Sequence, residues 1–260
     1  MTNQGARIPS VFYRTGPMPC PYLMGRIEQN LFTELRGPGA RDLHDQLAHA
    51  GFRRSHRIAY RPACPGCNAC VPVRIVVDGF RPTRSQRRIL ARNRDLRTVI
   101  AEPAATAEQF DLFVSYQRDR HPGGEMAVMS FTDYRAMVEE SAVETHVVEF
   151  RDPGDRLIAL CLMDTLSEAL SAVYSFFDPE VNGRSLGTHM ILWLIQRAAA
   201  KSLRHVYLGY WIAECAKMAY KTRFAPLQAL GPNGWRPLAA QENLAADGHD
   251  LVPTRAETRP

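Results

Sequence analysis

Between residues 145 and 212 the chain changes periodicity in an order that few folds accommodate. THVVEFR (145–151), RLIALCLMDTL (156–166) and ALSAVYSFFD (169–178) each read as a strand. DPG at 152–154 signals a hairpin between the first two, and SE at 167–168 turns the second into the third. GRSLGTHMILWLIQRAAAKSL (183–203) then opens on glycines and becomes an apolar-periodic helix. HVYLGYWI (205–212) returns as a strand, and ECAKMAYKTRF (214–224) follows as a short helix. Two helices precede the meander. FDLFVSYQRDR (110–120) has Thr106 as its cap and ends at HPGGE, and FTDYRAMVEES (131–141) has Thr132 as its cap. APLQALGPNGW (225–235) is a last extended piece. Helix, helix, meander, helix, strand, helix describes an α+β chain on a mixed sheet.

Charge separates the two halves. Of 260 residues, the first hundred hold 17 Arg, no Lys and 6 acids, a net of +11, while the whole chain carries only +5. A basic half of this kind is costly to keep compact unless something anionic binds it, which points to nucleic acid. The densest run is RSQRRILARNRDLR (84–97). As a helix it places Arg84, Arg88 and Arg92 on one face with Arg87 beside them, and turns Leu90 and Leu96 inward. Arginine pairs bidentately with phosphate. The plainer alternative is a solvated basic helix.

VYSFFDPEVNGRSLGTHM (173–190) is a strand, an acidic turn and a glycine-containing helix start. Backbone N–H groups there, with Arg184, make an anion site. The longest apolar stretch, MILWLI (190–195), is too short to span a bilayer, and MTNQGARIPS lacks the apolar run of a secretory signal. A cytoplasmic protein without membrane contact is the expectation. Thiols there stay reduced. Three of six cysteines stand at three-residue steps in CPGCNAC (64–70), and Cys20 is a fourth in the basic half. Cys20, Cys64, Cys67 and Cys70 are therefore candidate ligands for zinc or an iron–sulfur cluster, with redox-sensing thiols or an inert turn as the alternatives. Cys161 and Cys215 read as core thiols.

The helix start resembles the pyrophosphate loop of the GCN5-related N-acetyltransferases, here Arg184-Ser-Leu-Gly187-Thr-His189, with His189 where a small residue is usual. Its side chain is expected to crowd a pyrophosphate. A second resemblance covers nearly the whole chain. CPYLMGRIEQNLFTEL (20–35), GFRRSHRIAYRPACPGCNACVPVRI (51–75), FRPTRSQRRILARNRDL (80–96), YSFFDP (174–179), RSLGTHMILWLI (184–195) and YLGYWIAECAKMAYKTRFAP (207–226) stand in the order of the arginyl/leucyl-tRNA–protein transferases. The likeness is greatest to their short bacterial leucyltransferase branch.

This resemblance implies transfer of leucine from Leu-tRNA to proteins with an N-terminal Asp or Glu, in the N-end rule pathway of protein degradation. The chain divides near residue 100, where EPAATAEQ (102–109) is polar and Ala-rich, into a basic, cysteine-containing N-terminal region over 1–100 and a region over 101–238 that resembles an acetyltransferase domain; residues 239–260, with Pro, Asp and Ala and almost no aromatics, read as a loose tail. Eukaryotic relatives place an iron–sulfur cluster on cysteines of this region. An aminoacyl ester is already activated, so the transfer requires no cofactor, and no Gly-x-x-x-x-Gly-Lys-Ser/Thr loop occurs. In acetyltransferase-like folds the acyl carbonyl sits where two parallel strands splay, here 169–178 and 205–212. Tyr210 is then the candidate proton shuttle and Asp178 the candidate base. An acidic acceptor calls for a cation, with Lys217 and Lys221, four apart on one helical face, or Arg74 as candidates. A CoA-dependent N-acetyltransferase and a non-catalytic RNA-binding metalloprotein stand as alternatives.

Overall fold

The computed structural model describes residues 10–238. The tail expected over 239–260 lies outside them.

The first part builds two small sheets. Strands β1 (Tyr13–Arg14), β2 (Met18–Pro19), β3 (Ile27–Glu28) and β4 (Asn30–Glu34) lead into helix α1 (Ala40–His49), followed by β5 (Arg53–Ser55) and β6 (Ile58–Pro62). One sheet runs β1-β4-β6-β5 and the other pairs β2 with β3. After α1, Gly51 turns the chain at φ 84°. A Cβ there would come within 2.7 Å of Leu230 and Pro72, so packing and backbone angle both require glycine.

The remaining strands form one eight-stranded sheet. Its members are β7 (Val71–Val76), β8 (Arg97–Ala101), β9 (Thr145–Arg151), β10 (Leu157–Thr165), β11 (Ala169–Phe177), β12 (His205–Trp211), β13 (Leu227–Gly231) and β14 (Gly234–Pro237). Their spatial order is β14-β13-β7-β12-β11-β10-β9-β8. The boundary expected near residue 100 is therefore crossed: β7 and β8 belong to this sheet, and β7 lies between β12 and β13. Every pair is antiparallel except β11 with β12, which helix α5 joins.

Helices cover both faces. Along β10, Leu160 and Leu162 pack with Leu112, Phe113, Tyr134 and Val138 of α3 (Ala107–Arg120) and α4 (Phe131–Glu139). Cys161 and Met163 point the other way, toward Leu186, Met190 and Leu194 of α5 (Leu186–Ala200). This is why β10 reads as an unbroken apolar run: with both faces covered, neither needs polar residues. Helix α2 (Arg84–Arg92) packs against α5 through Ile89 and Leu90. Thr83 and Gln86 form its capping box, and Gln86 is its one buried residue.

Two expected element ends differ. Helix α4 is capped by Ser130, whose hydroxyl accepts from the Asp133 amide, rather than by Thr132. Residues 216–223 form a 3₁₀ helix, not an α-helix, so side chains four apart no longer share a face.

A buried ion pair docks the small sheet onto the large one. Arg54 of β5 donates through Nε (2.7 Å) and Nη2 (2.8 Å) to the Asp164 carboxylate of β10, which is 0% exposed. Thr145 Oγ1 donates to the same carboxylate at 2.7 Å, and His44 Nε2 lies 3.7 Å away.

Candidate active site

The sheet opens between β11 and β12. β11 and β12 pair in parallel only over Ala169–Ser171 and His205–Tyr207. Beyond those residues the two strands separate, and β12 carries a register shift between Tyr207 and Gly209 against β7. Such irregularities re-aim strand ends, and they recur beside functional sites.

Arg53 reaches into the opening. It reaches from β5 and donates from Nη2 to the carbonyls of Val173 (2.8 Å) and Ala172 (3.4 Å) on β11. On the β12 side it lies against Gly209, whose φ is 75° and whose added Cβ would stand 2.6 Å from the Arg53 Cζ. Gly209 is thus the close approach that lets the guanidinium in. Burial works against the Arg53 charge, and Tyr60, Tyr210, Tyr22 and Tyr220 around it more than offset that effect. Arg53 is a functional candidate that the sequence reading missed. In FRRSHR (52–57) it stands beside Arg54, and no local signal distinguishes the arginine aimed at the splay from the one aimed at Asp164.

Tyr210 is 5% exposed. Its hydroxyl faces the main-chain carbonyls of Tyr60 (3.0 Å) and Gly51 (3.1 Å), and burial raises its pKa above the ordinary tyrosine value. It ties β12 to the N-terminal layer. Asp178 follows β11, accepts from Arg156 Nη1 and the Glu180 amide at 2.8 Å each, and is a partnered carboxylate. Lys217 and Lys221 do not share a face, which corrects the helical reading: Lys217 is exposed and Lys221 is 6% exposed. Lys221 Nζ donates to the Tyr210 carbonyl, and burial, with Arg53 nearby, pushes its pKa down to about 7. Arg74 is buried, donates to Gln228 Oε1 (2.9 Å) and the Tyr207 hydroxyl (3.2 Å), and lies 4.2 Å over the Trp235 ring.

The basic surface divides in the same way. Arg84, Arg87, Arg88 and Arg92 are all exposed on α2, with Arg92 donating to the Gly183 carbonyl at the start of α5 and Arg87 to Pro82. Arg184 forms a bidentate pair with Asp95 at 2.8 Å through both nitrogens, so its charge is matched. The crowding expected from His189 does not occur. Its ring turns into the core, edge-on to Phe150 at 5.5 Å, and burial lowers its pKa to about 4.

Cys20, Cys64 and Cys67 lie near Cys70, all four at half-buried positions. Leu23 N donates to Cys20 Sγ (3.4 Å), Arg26 Nη1 to Cys67 Sγ (3.2 Å), and Cys64 Sγ to the Gln29 carbonyl (3.6 Å). Burial, then the other three thiols, pushes Cys70 up to about 12. Their sulfurs are suitable soft donors, yet as placed they do not converge: among the described residues no three His, Cys, Asp or Glu side chains are arranged to hold an ion. Cys161 and Cys215 are buried, as expected of core thiols. No helix among the described residues is long and apolar enough to cross a membrane.

Two family profiles match the chain. One, described as "Arginine-tRNA-protein transferase, N terminus", covers residues 18–88, and its C-terminal counterpart covers 108–231. The chain is 55% identical over 231 residues to an aspartate/glutamate leucyltransferase of Paramagnetospirillum magneticum, covering 89% of this chain and 95% of that one. It is 51% identical over 255 residues to one of Gluconacetobacter diazotrophicus, covering 98% and 97%. The chain belongs to the arginine-tRNA-protein transferase family. Among solved structures, the C-terminal domain of a putative lysylphosphatidylglycerol synthetase from Agrobacterium fabrum overlaps 74% of this chain and 57% of its own at 14% identity and a TM-score of 0.44. That overlap is too loose to bear on fold or function. Both elements that meet at the splay fall within the matched family regions: Arg53 lies in the N-terminal match, and Gly209, Tyr210 and Lys221 lie in the C-terminal one.

Proposed function

We propose that this transferase moves leucine from Leu-tRNA onto the α-amine of proteins that begin with Asp or Glu, marking them for degradation through the N-end rule pathway. The observation that carries the reading is the opening between β11 and β12, lined from both family-matched regions. We read the large sheet as acetyltransferase-like, with this splay as the acyl site.

The chemistry asks little of the protein. The acceptor amine forms a C–N bond with the leucyl carbonyl as the ester C–O bond to ribose breaks. One proton leaves the amine and one ends on the ribose hydroxyl. The enzyme positions the two substrates, offers donors to the oxyanion and handles the protons. The exposed arginines Arg84, Arg87 and Arg88 supply tRNA-phosphate contacts beside α5. Tyr210 acts in this reading by holding β12, and with it Gly209, against the N-terminal layer. Two features disfavour a CoA donor. Arg53 already occupies the carbonyls of Ala172 and Val173, and Arg184 is neutralised by Asp95.

The test supplies labelled leucyl-tRNA, arginyl-tRNA and acetyl-CoA separately with a peptide beginning with Asp. Leucine transfer alone is expected. Acetyl transfer alone would overturn the reading, and arginine transfer alone would overturn the donor.

A further inference from the structure

Whichever side chain reads the acceptor's carboxylate is constrained by distance. One methylene in Asp, or two in Glu, separates that carboxylate from the Cα bearing the reacting amine. The cation that reads it has to lie beside the acyl carbonyl, at the splay, and not on a remote surface. It also has to keep donors free and face solvent on one side.

The cations expected from the sequence do not meet these conditions. Lys221 spends its ammonium on the Tyr210 carbonyl, and Lys217 is on the open surface. Arg74 is committed to Gln228 and Tyr207 under Trp235. Arg156 is held by Asp152 and Asp178. Arg53 differs from all of them. Both of its hydrogen bonds come from Nη2, while Nε and Nη1 donate to no group among the described residues. The side chain is half-buried, and the rings around it include Tyr22 and Tyr220, both exposed to solvent. A guanidinium anchored at one nitrogen, with two left to donate and one path to water, is a receptor for a planar anion.

We propose that Arg53 is the specificity residue that binds the β- or γ-carboxylate of the acceptor's first residue. This assignment rests on the function proposed above and names the group that sets its acceptor class. Gly209 is the positioning residue: it lets the guanidinium into the splay, because a Cβ there would overlap Nε and Cζ at 2.6 Å. The carbonyls of Ala172 and Val173 fix its angle.

The experiment compares leucyl transfer to peptides beginning with Asp and with its neutral isostere Asn. Wild type is measured beside Arg53→Met, Arg53→Lys and Gly209→Ala, each with a melting curve. In Arg53→Met, kcat/KM for the Asp peptide falls by on the order of 10²-fold, while that for the Asn peptide stays within about threefold, so the ratio collapses. Arg53→Lys restores part of the ratio. Gly209→Ala lowers it by moving the guanidinium, with Arg53 itself intact. If both peptides fall together and the ratio holds, Arg53 is a plug in the sheet or an oxyanion donor, and the assignment is wrong. If wild type transfers leucine to neither peptide, the underlying function is wrong as well. If it transfers equally to both, the acceptor class alone is wrong.

Discussion

Replacing Arg54 by Met removes one side of the ion pair that docks the two sheets. Asp164 is fully buried and accepts three hydrogen bonds at 2.7, 2.8 and 2.7 Å, two of them from Arg54. In the variant the carboxylate keeps only the Thr145 hydroxyl. Breaking a buried pair from one side costs about 3–5 kcal/mol, because the remaining charge is neither solvated nor compensated. With a urea m-value near 3 kcal/mol per molar for a chain of this size, about 4 kcal/mol moves the midpoint down by roughly 1.3 M. The direction with pH follows from His44, whose Nε2 lies 3.7 Å from Asp164. Its pKa is lowered first by burial and in part by Arg54, so it is easier to protonate once Arg54 is gone. It binds more protons in the folded variant than in the folded wild type, so the deficit shrinks as pH falls below 7. The double variant Arg54→Met/Asp164→Leu recovers most of the loss, since a well-packed apolar pair of similar size needs no compensation. Urea unfolding at pH 7.5 and 5.5, completed as a double-mutant cycle, measures all of this. A single variant within about 1 kcal/mol of wild type, or a double variant no better than the single, would refute the reasoning.

Three further outcomes follow from the same geometry. Removing Arg87 and Arg88 together weakens tRNA binding and lowers the slope of log K against log salt by one to two, whereas Arg184→Ala changes the slope less because Asp95 already neutralises that charge; filter binding across a salt series measures both. Lys221 has its pKa lowered from 10.5 to about 7, so the unfolded chain binds more protons between those values and its contribution to stability rises as pH climbs from 7 toward 10; Lys221→Met flattens that rise in unfolding curves taken at pH 7, 8 and 9. As placed, the four thiols do not converge on an ion, so chelator treatment is expected to leave the melting temperature of the purified protein unchanged; a Tm that falls with chelator and returns with added metal would contradict this.

Much of the C-terminal half was legible in the chain. THVVEFR, RLIALCLMDTL and ALSAVYSFFD carry β-periodicity and turn residues at their own ends, and Thr106 with Gln109 caps α3 within four residues. Such signals are local. β7 was not legible as a sheet member, because its partners lie 129 and more residues away in β12 and β13 and nothing in VPVRIV names them. The cap of α4 was misplaced by two residues because Ser130 and Thr132 are both competent, and only Ser130 has an acid three residues on. The pairing of Lys217 with Lys221 assumed 3.6 residues per turn in a segment that winds at three. The exposed α2 arginines were readable, as a basic surface, from their density. Arg53 was not, since its role depends on a splay between two strands more than a hundred residues downstream.

The most direct measurement is the rate of leucine transfer from leucyl-tRNA to four peptides that differ only in their first residue: Asp, Glu, Asn and Ala. Transfer is expected to be fast to the Asp and Glu peptides and slow to the others, with leucine on the α-amine of the product. Equal rates on all four, or no leucine on any, would contradict this.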